Sequence, residues 1–184
     1  MNIKEGTILE TKRLLLREMN PEIYKTVLSE FTDQNIKEYF GMDSDEELET
    51  EKARFQQGIT MSGRSFLYFH LIEKQLGNVL GWCGFHTWFP FHKRAELGYV
   101  INSDASKGKG YMKEALPDII SYGFNNMNLH RIEALVAPAN IPSVKLIKAS
   151  HFKEEGLLRE HYMKNDILED SAIYSLLRHE FLKE

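Results

Sequence analysis

A loop rich in glycine and lysine is the stretch of this sequence whose residue types and spacing point most directly to chemistry. Residues 106–116 have the sequence SKGKGYMKEAL, in which Gly108 and Gly110 flank one lysine and follow another. Apolar residues at helical spacing follow, so we expect the loop to lie at a helix N-terminus, where unpaired N–H groups attract anions. Glycine lets the backbone wrap closely around a phosphate. The pattern predicts a phosphate or pyrophosphate site, and a plain strand-to-helix turn is the alternative interpretation.

The class of phosphate ligand is narrowed by two motifs that the chain does not match. No run fits the G-x-x-x-x-G-K-[ST] loop of nucleoside triphosphatases. The G-x-G-x-x-G/A motif of dinucleotide-binding domains needs a small residue where Lys113 stands. The three strands predicted before the loop are also expected to be antiparallel, unlike the parallel strands of a dinucleotide-binding domain.

The elements that must position this loop follow from hydrophobic periodicity, caps and turn residues. Asn20 with Pro21 marks the start of one helix, Ser44 with Glu47 has the spacing of a capping box, and Asn140 caps a third helix. Aromatic and branched residues on both sides of the tripeptide QLG predict a β-hairpin. The predicted strands are 13–18, 65–74, 78–89, 94–101, 131–137, 152–166 and 167–181, and the predicted helices are 21–31, 44–61, 109–127 and 141–151.

The order of these elements, β-α-α-β-β-β-α-β-α-β-β, indicates an α+β fold built on one mixed sheet. The 184 residues fit a single domain spanning residues 1–184, because no repeat, linker or low-complexity tract marks a boundary. The formal net charge of −4 argues against a general nucleic-acid-binding protein. We therefore expect no direct nucleic-acid partner.

The cysteine content and the N-terminus bear on the cellular compartment. Cys83 is the one cysteine, so no intrachain disulfide can form, and its apolar surroundings VLGWCGF predict a buried small side chain. The first ten residues contain no apolar signal-peptide core, and no apolar run approaches the ~20 residues of a membrane span. We expect a cytoplasmic protein with no membrane partner.

Four segments, distributed along nearly the whole chain, carry a resemblance to a known family. They are ELGYVINSDASKGKGYMKEAL (96–116), NLHRIEALVAPANIPSVKLIKASHF (128–152), LETKRLLLRE (9–18) and IYSLLRHEF (173–181). These segments resemble the GNAT superfamily of N-acetyltransferases, and most of all the branch that acetylates an N-terminal alanine or serine of ribosomal proteins. The resemblance implies the GNAT acyl-CoA N-acyltransferase fold, an α+β fold with a mixed, mostly antiparallel central sheet and helices on both faces.

The resemblance implies acetyl-coenzyme A (acetyl-CoA) as the acetyl donor. The family loop [QR]-x-x-G-x-[GA] corresponds to Ala105 through Gly110, with alanine in its first place. The implied pyrophosphate contacts are Ser106, Lys107, Gly108, Lys109, Gly110, Tyr111 and Met112. The family motif N-x-x-[SA] matches Asn140 and Ser143, which implies hydrogen bonds to the pantetheine arm, with a helix N-cap as the alternative role of Asn140. His151 stands where the family usually has a helix-ending glycine.

The resemblance also implies a catalytic carboxylate at Glu96, which would act as a base on the acceptor amine, directly or through water. Glu96 lies between Ala95 and Leu97 on a predicted strand. Burial there would raise the pKa of the carboxyl toward the range that suits a base. The alternative interpretation is a surface ion pair with Arg94 or Lys93.

Two further catalytic functions are implied in the same way. Family members separate two strands around the donor, and backbone N–H groups near Val100 and Ile101 would there polarise the thioester carbonyl. The departing thiolate needs a proton, for which Tyr111, Tyr162 and Ser143 are the candidates, with Ser143 retained as a catalytic residue. The sequence does not choose among these three side chains.

These features predict an enzyme that transfers an acetyl group from acetyl-CoA to a primary amine, above all a protein N-terminal α-amine such as that of a ribosomal protein. A small-molecule amine acceptor (an amino acid, polyamine or antibiotic) and a non-catalytic acyl-CoA sensor are the alternatives. The acidic run 43–54 could attract a cationic acceptor, and acceptor contacts are expected at 41–45, 89–92 and 164–166. The seven histidines show no metal-ligand spacing, so no metal is expected. Homodimerisation stays open.

Overall fold

The computed structural model of the chain describes residues 6–56 and 65–181, which form an eight-stranded sheet flanked by helices. The strands are β1 (Ile8–Glu10), β2 (Leu14–Met19), β3 (Ser65–Glu73), β4 (Val79–Phe89), β5 (Arg94–Ile101), β6 (Arg131–Val136), β7 (Lys153–Lys164) and β8 (Ile167–Leu177). The helices are α1 (Pro21–Glu30), α2 (Asp33–Phe40), α3 (Asp45–Gln56), α4 (Tyr111–Asn125), α5 (Ile141–Ala149) and α6 (Arg178–Phe181). The strand order is β1-β2-β3-β4-β5-β6-β8-β7, with β5 and β6 parallel and the other neighbouring strands antiparallel.

Helices cover both faces of this sheet, which confirms the predicted mixed, mostly antiparallel α+β fold. Leu67 and Phe69 of β3 are buried in one cluster with Phe124 of α4. Phe66 and Tyr68 of the same strand pack instead against the cluster formed by α1 and α2. Successive side chains of a strand point to opposite faces, so α4 and the pair α1–α2 lie on opposite sides of the sheet.

The predicted helix starts at Asn20 and Ser44 are both observed. The side chain of Asn20 accepts hydrogen bonds from the N–H groups of Glu22 and Ile23, each at 3.0 Å. Ser44 and Glu47 form the predicted capping box, because Glu47 N donates to Ser44 Oγ at 3.2 Å and Ser44 N donates to Glu47 Oε2 at 3.4 Å. These caps fix the residues at which α1 and α3 begin.

Helices α2 and α6 are not predicted from the sequence. α2 begins after Thr32, whose hydroxyl accepts from Asn35 N at 3.3 Å, and ends at Gly41 in the left-handed conformation with φ of 69°. The last predicted strand extends too far, since residues 178–181 form α6 and Glu180 accepts from Leu177 N at 3.0 Å. The predicted end of the second long helix near residue 61 lies outside the described residues.

Candidate active site

The central sheet opens between its two parallel strands. The ladder joins residues 94–96 of β5 to residues 131–133 of β6, although β5 continues to Ile101 and β6 to Val136. On its other edge β5 stays paired with β4 as far as Ile101. Beyond Glu96, the edge of β5 therefore faces an opening rather than a neighbouring strand.

The register of β4 and β5 determines which amides face this opening. Asn102 N donates to Leu80 O at 2.9 Å, so the even-numbered N–H groups of β5 point toward β4. The amides of Tyr99 and Ile101 then point into the opening, and the amide of Val100 points into the β4 ladder. The amide of Ile101, a predicted donor to the thioester carbonyl, therefore faces the opening. The amide of Val100, the other predicted donor, does not, and Tyr99 has the second amide on that side.

The glycine-lysine loop leads directly into α4, as predicted, although the helix begins at Tyr111 and not at residue 109. Gly108 and Gly110 adopt φ angles of 74° and 79°, the left-handed region that favours glycine. Gly110 is the N-cap and has no side chain, so no side chain caps the first N–H groups of α4. Lys107 forms an exposed ion pair with Asp104 at 2.7 Å. The uncapped helix start suits an anionic ligand.

A brace from the start of β2 holds the loop in place. Arg13 donates through Nη1 to Lys109 O at 3.0 Å and through Nε to Glu114 Oε2 at 2.6 Å. Thr11 Oγ1 donates to Glu114 Oε1 at 2.6 Å, and the Arg13 guanidinium lies 4.4 Å from the Tyr111 ring centroid. Sequence reasoning missed this brace, because its signal is only a Thr-x-Arg triplet far from an acidic residue in the first turn of α4.

Asn140 and Ser143 lie together at the start of α5. Asn140 Oδ1 accepts a hydrogen bond from Ser143 N at 3.3 Å, so Asn140 is a helix N-cap. The Asn140 side-chain NH₂ group stays available to a ligand at the same helix end. The helix ends at Ala149, with Ser150 as its C-cap, and His151 follows in the left-handed conformation with φ of 65°. Histidine thus adopts here the backbone geometry for which glycine is usually favoured.

Glu96 lies beside the opening, on the face of the sheet opposite α4. Its side chain is 24% exposed, and its Oε2 atom is 3.8 Å from His86 Nδ1. Burial raises the pKa of Glu96, His86 lowers it in part, and Glu133 raises it. Arg94 pairs with Glu133 at 2.9 Å, and no described ion pair joins Glu96 to Arg94 or Lys93. A partly buried carboxylate with a raised pKa is suited to accept a proton.

A cavity of about 850 Å³ lies on the Glu96 face, between α1–α3 and strands β3 and β4. The described residues that line it include the carboxylates Glu46, Glu47 and Glu51 and no lysine or arginine. Its aromatic wall consists of Tyr24, Phe40, Phe66, Tyr68 and Trp82. His86 also lines the cavity, and its Nδ1 atom is 3.8 Å from Glu96 Oε2, so the cavity adjoins the Glu96 site. We call this space the acidic cavity.

The charge of the acidic cavity is set by its carboxylates. His70 also lines the wall, and burial together with nearby Arg17 lowers its pKa to about 3, so it is neutral at pH 7. Of the predicted acceptor segments, residues 41–45 contribute Gly41, Met42 and Ser44 to the lining, whereas residues 89–92 and 164–166 do not line it. A cavity with three carboxylates and aromatic walls favours a cationic ligand.

The three side chains predicted as candidate proton donors to the departing thiolate have different surroundings in the structure. The Tyr111 hydroxyl donates to Glu73 at 2.5 Å, and Tyr162 on β7 is 65% exposed. Ser143 lies at the start of α5, near a tyrosine that sequence reasoning missed. That residue is Tyr99, whose buried hydroxyl has no hydrogen-bond partner among the described residues. Its signal in the sequence is its place in the strand between Glu96 and the loop.

Two other kinds of feature are absent from residues 6–56 and 65–181. No three His, Cys, Asp or Glu side chains are grouped there as metal ligands would be. No helix among them is long and apolar enough to cross a membrane.

Comparison with known proteins gives a consistent result for the fold. A family model described as an acetyltransferase (GNAT) domain matches residues 13–153. An uncharacterized N-acetyltransferase, p20 of Bacillus licheniformis, is 34% identical over 175 residues, which cover 94% of this chain and 97% of that protein. The crystal structure of a GNAT-family acetyltransferase from Bacillus anthracis has a TM-score of 0.65 at 26% identity, covering 95% of this chain and 100% of that one.

Two further relatives have names that specify an acceptor. The putative ribosomal N-acetyltransferase YdaF of Bacillus subtilis is 30% identical over 105 residues, which cover 57% of each protein. A spermidine N(1)-acetyltransferase of Vibrio cholerae is 31% identical over 112 residues, which cover 61% of this chain and 64% of that protein. The similarity therefore extends about equally to a relative named for ribosomal acceptors and to one named for a polyamine.

Proposed function

Because the chain belongs to the GNAT family of acetyltransferases, it is an acyl-CoA-dependent acetyltransferase, and we propose that its acceptor is a primary amine on a molecule with further positive charge. The observation that carries this proposal is the acidic cavity, whose lining contains three carboxylates and also His86, which is 3.8 Å from Glu96. The first candidate acceptor is the N-terminal α-amine of a basic protein, such as a ribosomal protein.

The donor side of the proposal rests on the loop, the opening and α5. The uncapped start of α4 and the left-handed Gly108 and Gly110 fit the pyrophosphate of acetyl-CoA. The Asn140 side chain would bond the pantetheine arm, and the amides of Tyr99 and Ile101 would donate to the thioester carbonyl. Bound acetyl-CoA supplies an acetyl group that is activated as a thioester.

The acceptor side rests on Glu96. An ammonium group must lose a proton before its nitrogen can attack, and the Glu96 carboxylate would take that proton directly or through one water. The new C–N bond forms as the thioester C–S bond breaks, and the electron pair of that bond leaves with sulfur. His86 lines the acidic cavity and lies 3.8 Å from Glu96, which supports entry of the acceptor from this cavity.

A basic protein N-terminus fits the acidic cavity because it combines one reactive α-amine with cationic side chains. The carboxylates Glu46, Glu47 and Glu51 would bind those side chains while the α-amine reaches Glu96. The relative named as a putative ribosomal N-acetyltransferase supports this candidate. The single-domain organisation proposed for residues 1–184 places both substrate sites on one sheet.

A polyamine is the second candidate acceptor. Its several ammonium groups match a lining that has three carboxylates and, among the described residues, no lysine or arginine. Aromatic rings add favourable cation–π contacts for alkylammonium groups. The spermidine N(1)-acetyltransferase relative supports this candidate.

The carboxylates of the acidic cavity are expected to control the KM of the acceptor. In the double variant Glu46→Gln/Glu51→Gln, KM for a cationic acceptor should rise about two- to thirty-fold, because each near-surface charge pair contributes about 0.2–1 kcal/mol. The value of kcat should change little. Coenzyme A release should be measured with Ala- and Ser-starting peptides that contain arginine, with the same peptides lacking arginine, and with spermidine.

The matched control is Glu49→Gln, on the same helix as the cavity carboxylates but outside the cavity lining. This variant should leave KM unchanged. The preferred acceptor is the one with the higher kcat/KM in the wild-type protein, which separates the peptide from the polyamine. An unchanged KM in the double variant would reject the cationic acceptor, and binding of acetyl-CoA without turnover of any amine would favour a sensor over an enzyme.

A further inference from the structure

The Tyr99 hydroxyl is a buried polar group that has no hydrogen-bond partner in the part of the chain that the structure describes. It is one of three such side-chain atoms among the described residues. A buried hydroxyl left without a partner destabilises the folded state, so each one needs an explanation. Tyr99 lies in the part of β5 that has separated from β6. Its position beside the opening indicates that the hydroxyl gains its partner when a ligand binds there.

Tyr99 and Glu96 lie on opposite faces of the opened sheet. Along β5, Glu96 is paired with His86, which lines the acidic cavity. Tyr99 is paired with Cys83, which is buried in the cluster on the α4 and α5 face. Since side chains alternate along a strand, Glu96 faces the acceptor and Tyr99 faces the other side of the opening. The acetyl group would react between these two side chains.

Ser143 is the polar side chain that approaches Tyr99. Burial raises the pKa of Tyr99, and the Ser143 hydroxyl offsets part of that rise. The tyrosine is therefore protonated at neutral pH and can donate its hydrogen. Val144, the next residue of α5, packs against the same cluster as Tyr99. The first turn of α5 thus brings the two hydroxyl groups together beside the opening.

We propose that Tyr99 is a positioning residue whose hydroxyl, once acetyl-CoA is bound, donates a hydrogen bond to Ser143 Oγ and thereby directs the Ser143 hydrogen at the departing sulfur. This inference rests on the proposed function. When the C–S bond breaks, the electron pair stays on sulfur, and the Ser143 hydroxyl stabilises the resulting thiolate by a hydrogen bond. Glu96 holds the proton of the amine, no proton passes through Tyr99, and the thiolate takes its proton from water.

The first test is kinetic and uses Tyr99→Phe, which removes the hydroxyl and keeps the ring. We expect kcat to fall about tenfold, the effect of one lost hydrogen bond, while KM for the acceptor stays the same. Because Tyr99 acts through Ser143, the double variant Tyr99→Phe/Ser143→Ala should be no slower than Ser143→Ala alone. Multiplicative effects in the double variant would overturn the proposal.

The second test measures binding without turnover. Calorimetric titration should compare coenzyme A with its analogue that lacks the sulfur atom. The wild-type protein should prefer coenzyme A at a pH where the thiol is partly ionised, and this preference should disappear in both Tyr99→Phe and Ser143→Ala. An undiminished preference in Tyr99→Phe would overturn the proposal even in a protein that acetylates no tested amine. Absence of wild-type turnover, in contrast, counts against the proposed function itself.

The matched control is Tyr174→Phe, which removes the hydroxyl of another buried tyrosine on the same face of the sheet. The Tyr174 hydroxyl donates to Glu154 Oε2 at 3.2 Å, so its loss should lower the melting temperature and leave kcat unchanged. Tyr99→Phe should not lower the melting temperature, because its hydroxyl makes no hydrogen bond to any of the described residues. A lower melting temperature with unchanged kcat in Tyr99→Phe would assign that residue a structural role instead.

Discussion

Replacing Glu96 by glutamine is expected to lower kcat for acetyl transfer by about 10²- to 10⁴-fold, the usual contribution of a general base. The amide has nearly the same shape but cannot take a proton from the acceptor amine. Affinity for acetyl-CoA should stay the same, because the loop and α5 lie apart from the Glu96 side chain. Stopped-flow or steady-state release of coenzyme A, together with calorimetric binding of the donor, measures both quantities.

The pH dependence gives an independent check on Glu96. A base must be ionised to act, so kcat/KM should fall as the pH drops through the pKa of Glu96. Burial raises that pKa, with His86 opposing the rise in part, so the acid limb should lie above the ordinary range of a glutamate. In Glu96→Gln the residual activity should rise with pH only as the acceptor amine itself loses its proton.

Glu133→Gln is the matched control for Glu96→Gln. Glu133 lies opposite Glu96 in the parallel ladder, but its carboxylate is paired with Arg94 at 2.9 Å and with Arg131 at 2.7 Å. A carboxylate held by two guanidinium groups is poorly suited to accept a proton. The control should retain kcat within about tenfold. Equal losses in the two variants would move the base away from Glu96.

The parts of the fold that the sequence predicts well are those with strong local signals. The β3–β4 hairpin has aromatic and branched residues on both sides of a short turn, and α1 and α3 have caps that the structure confirms at Asn20 and Ser44. Helix α2 is missed because its eight residues are too few to establish a periodicity. Its start at Thr32 and its end at Gly41 carry the ordinary cap signals.

The candidate site likewise has some parts with strong local signals in the sequence and others without them. The glycines of the loop and the cap at Asn140 depend on local backbone geometry, so residue type and spacing are enough to find them. The brace between Arg13 and Glu114 joins residues 101 positions apart, and the acidic cavity joins three helices to two strands. Contacts of this range depend on the packed fold. The sequence therefore indicates the acidic run 43–54 but not the strands that it faces, and it gives no sign of the brace.

The sequence also cannot predict which backbone amides of β5 face the opening. A strand directs alternate N–H groups to alternate sides, and which set faces the opening depends on the register with β4. That register is fixed by the pairing of Asn102 with Leu80. From the sequence, Val100 and Ile101 are equally good candidates, and the register replaces Val100 with Tyr99. The same residue then contributes both an amide and a buried hydroxyl to one opening.

The double variant Gly108→Ala/Gly110→Ala is expected to weaken binding of acetyl-CoA about 30- to 700-fold. Both glycines have left-handed φ angles, 74° and 79°, which cost alanine about 1–2 kcal/mol each. A Cβ at Gly108 would meet nothing within 4 Å, and one at Gly110 would lie 3.7 Å from Arg13 Nη2. The expected loss therefore comes from backbone strain and not from a steric clash. Calorimetric titration with coenzyme A measures it.

The backbone strain weakens binding because an alanine can avoid the left-handed conformation in the free loop but not in the loop that binds the donor. In the free protein, open space at Gly108 lets an alanine there relax to a negative φ, whereas the proposed pyrophosphate contacts require the left-handed backbone. Gly77→Ala is the matched control, since Gly77 has φ of 72°, nothing within 4 Å of a Cβ, and a place in the β3–β4 turn. It should lower stability and leave affinity unchanged. Wild-type affinity in the double variant would mean that the left-handed loop is not the conformation that binds the donor.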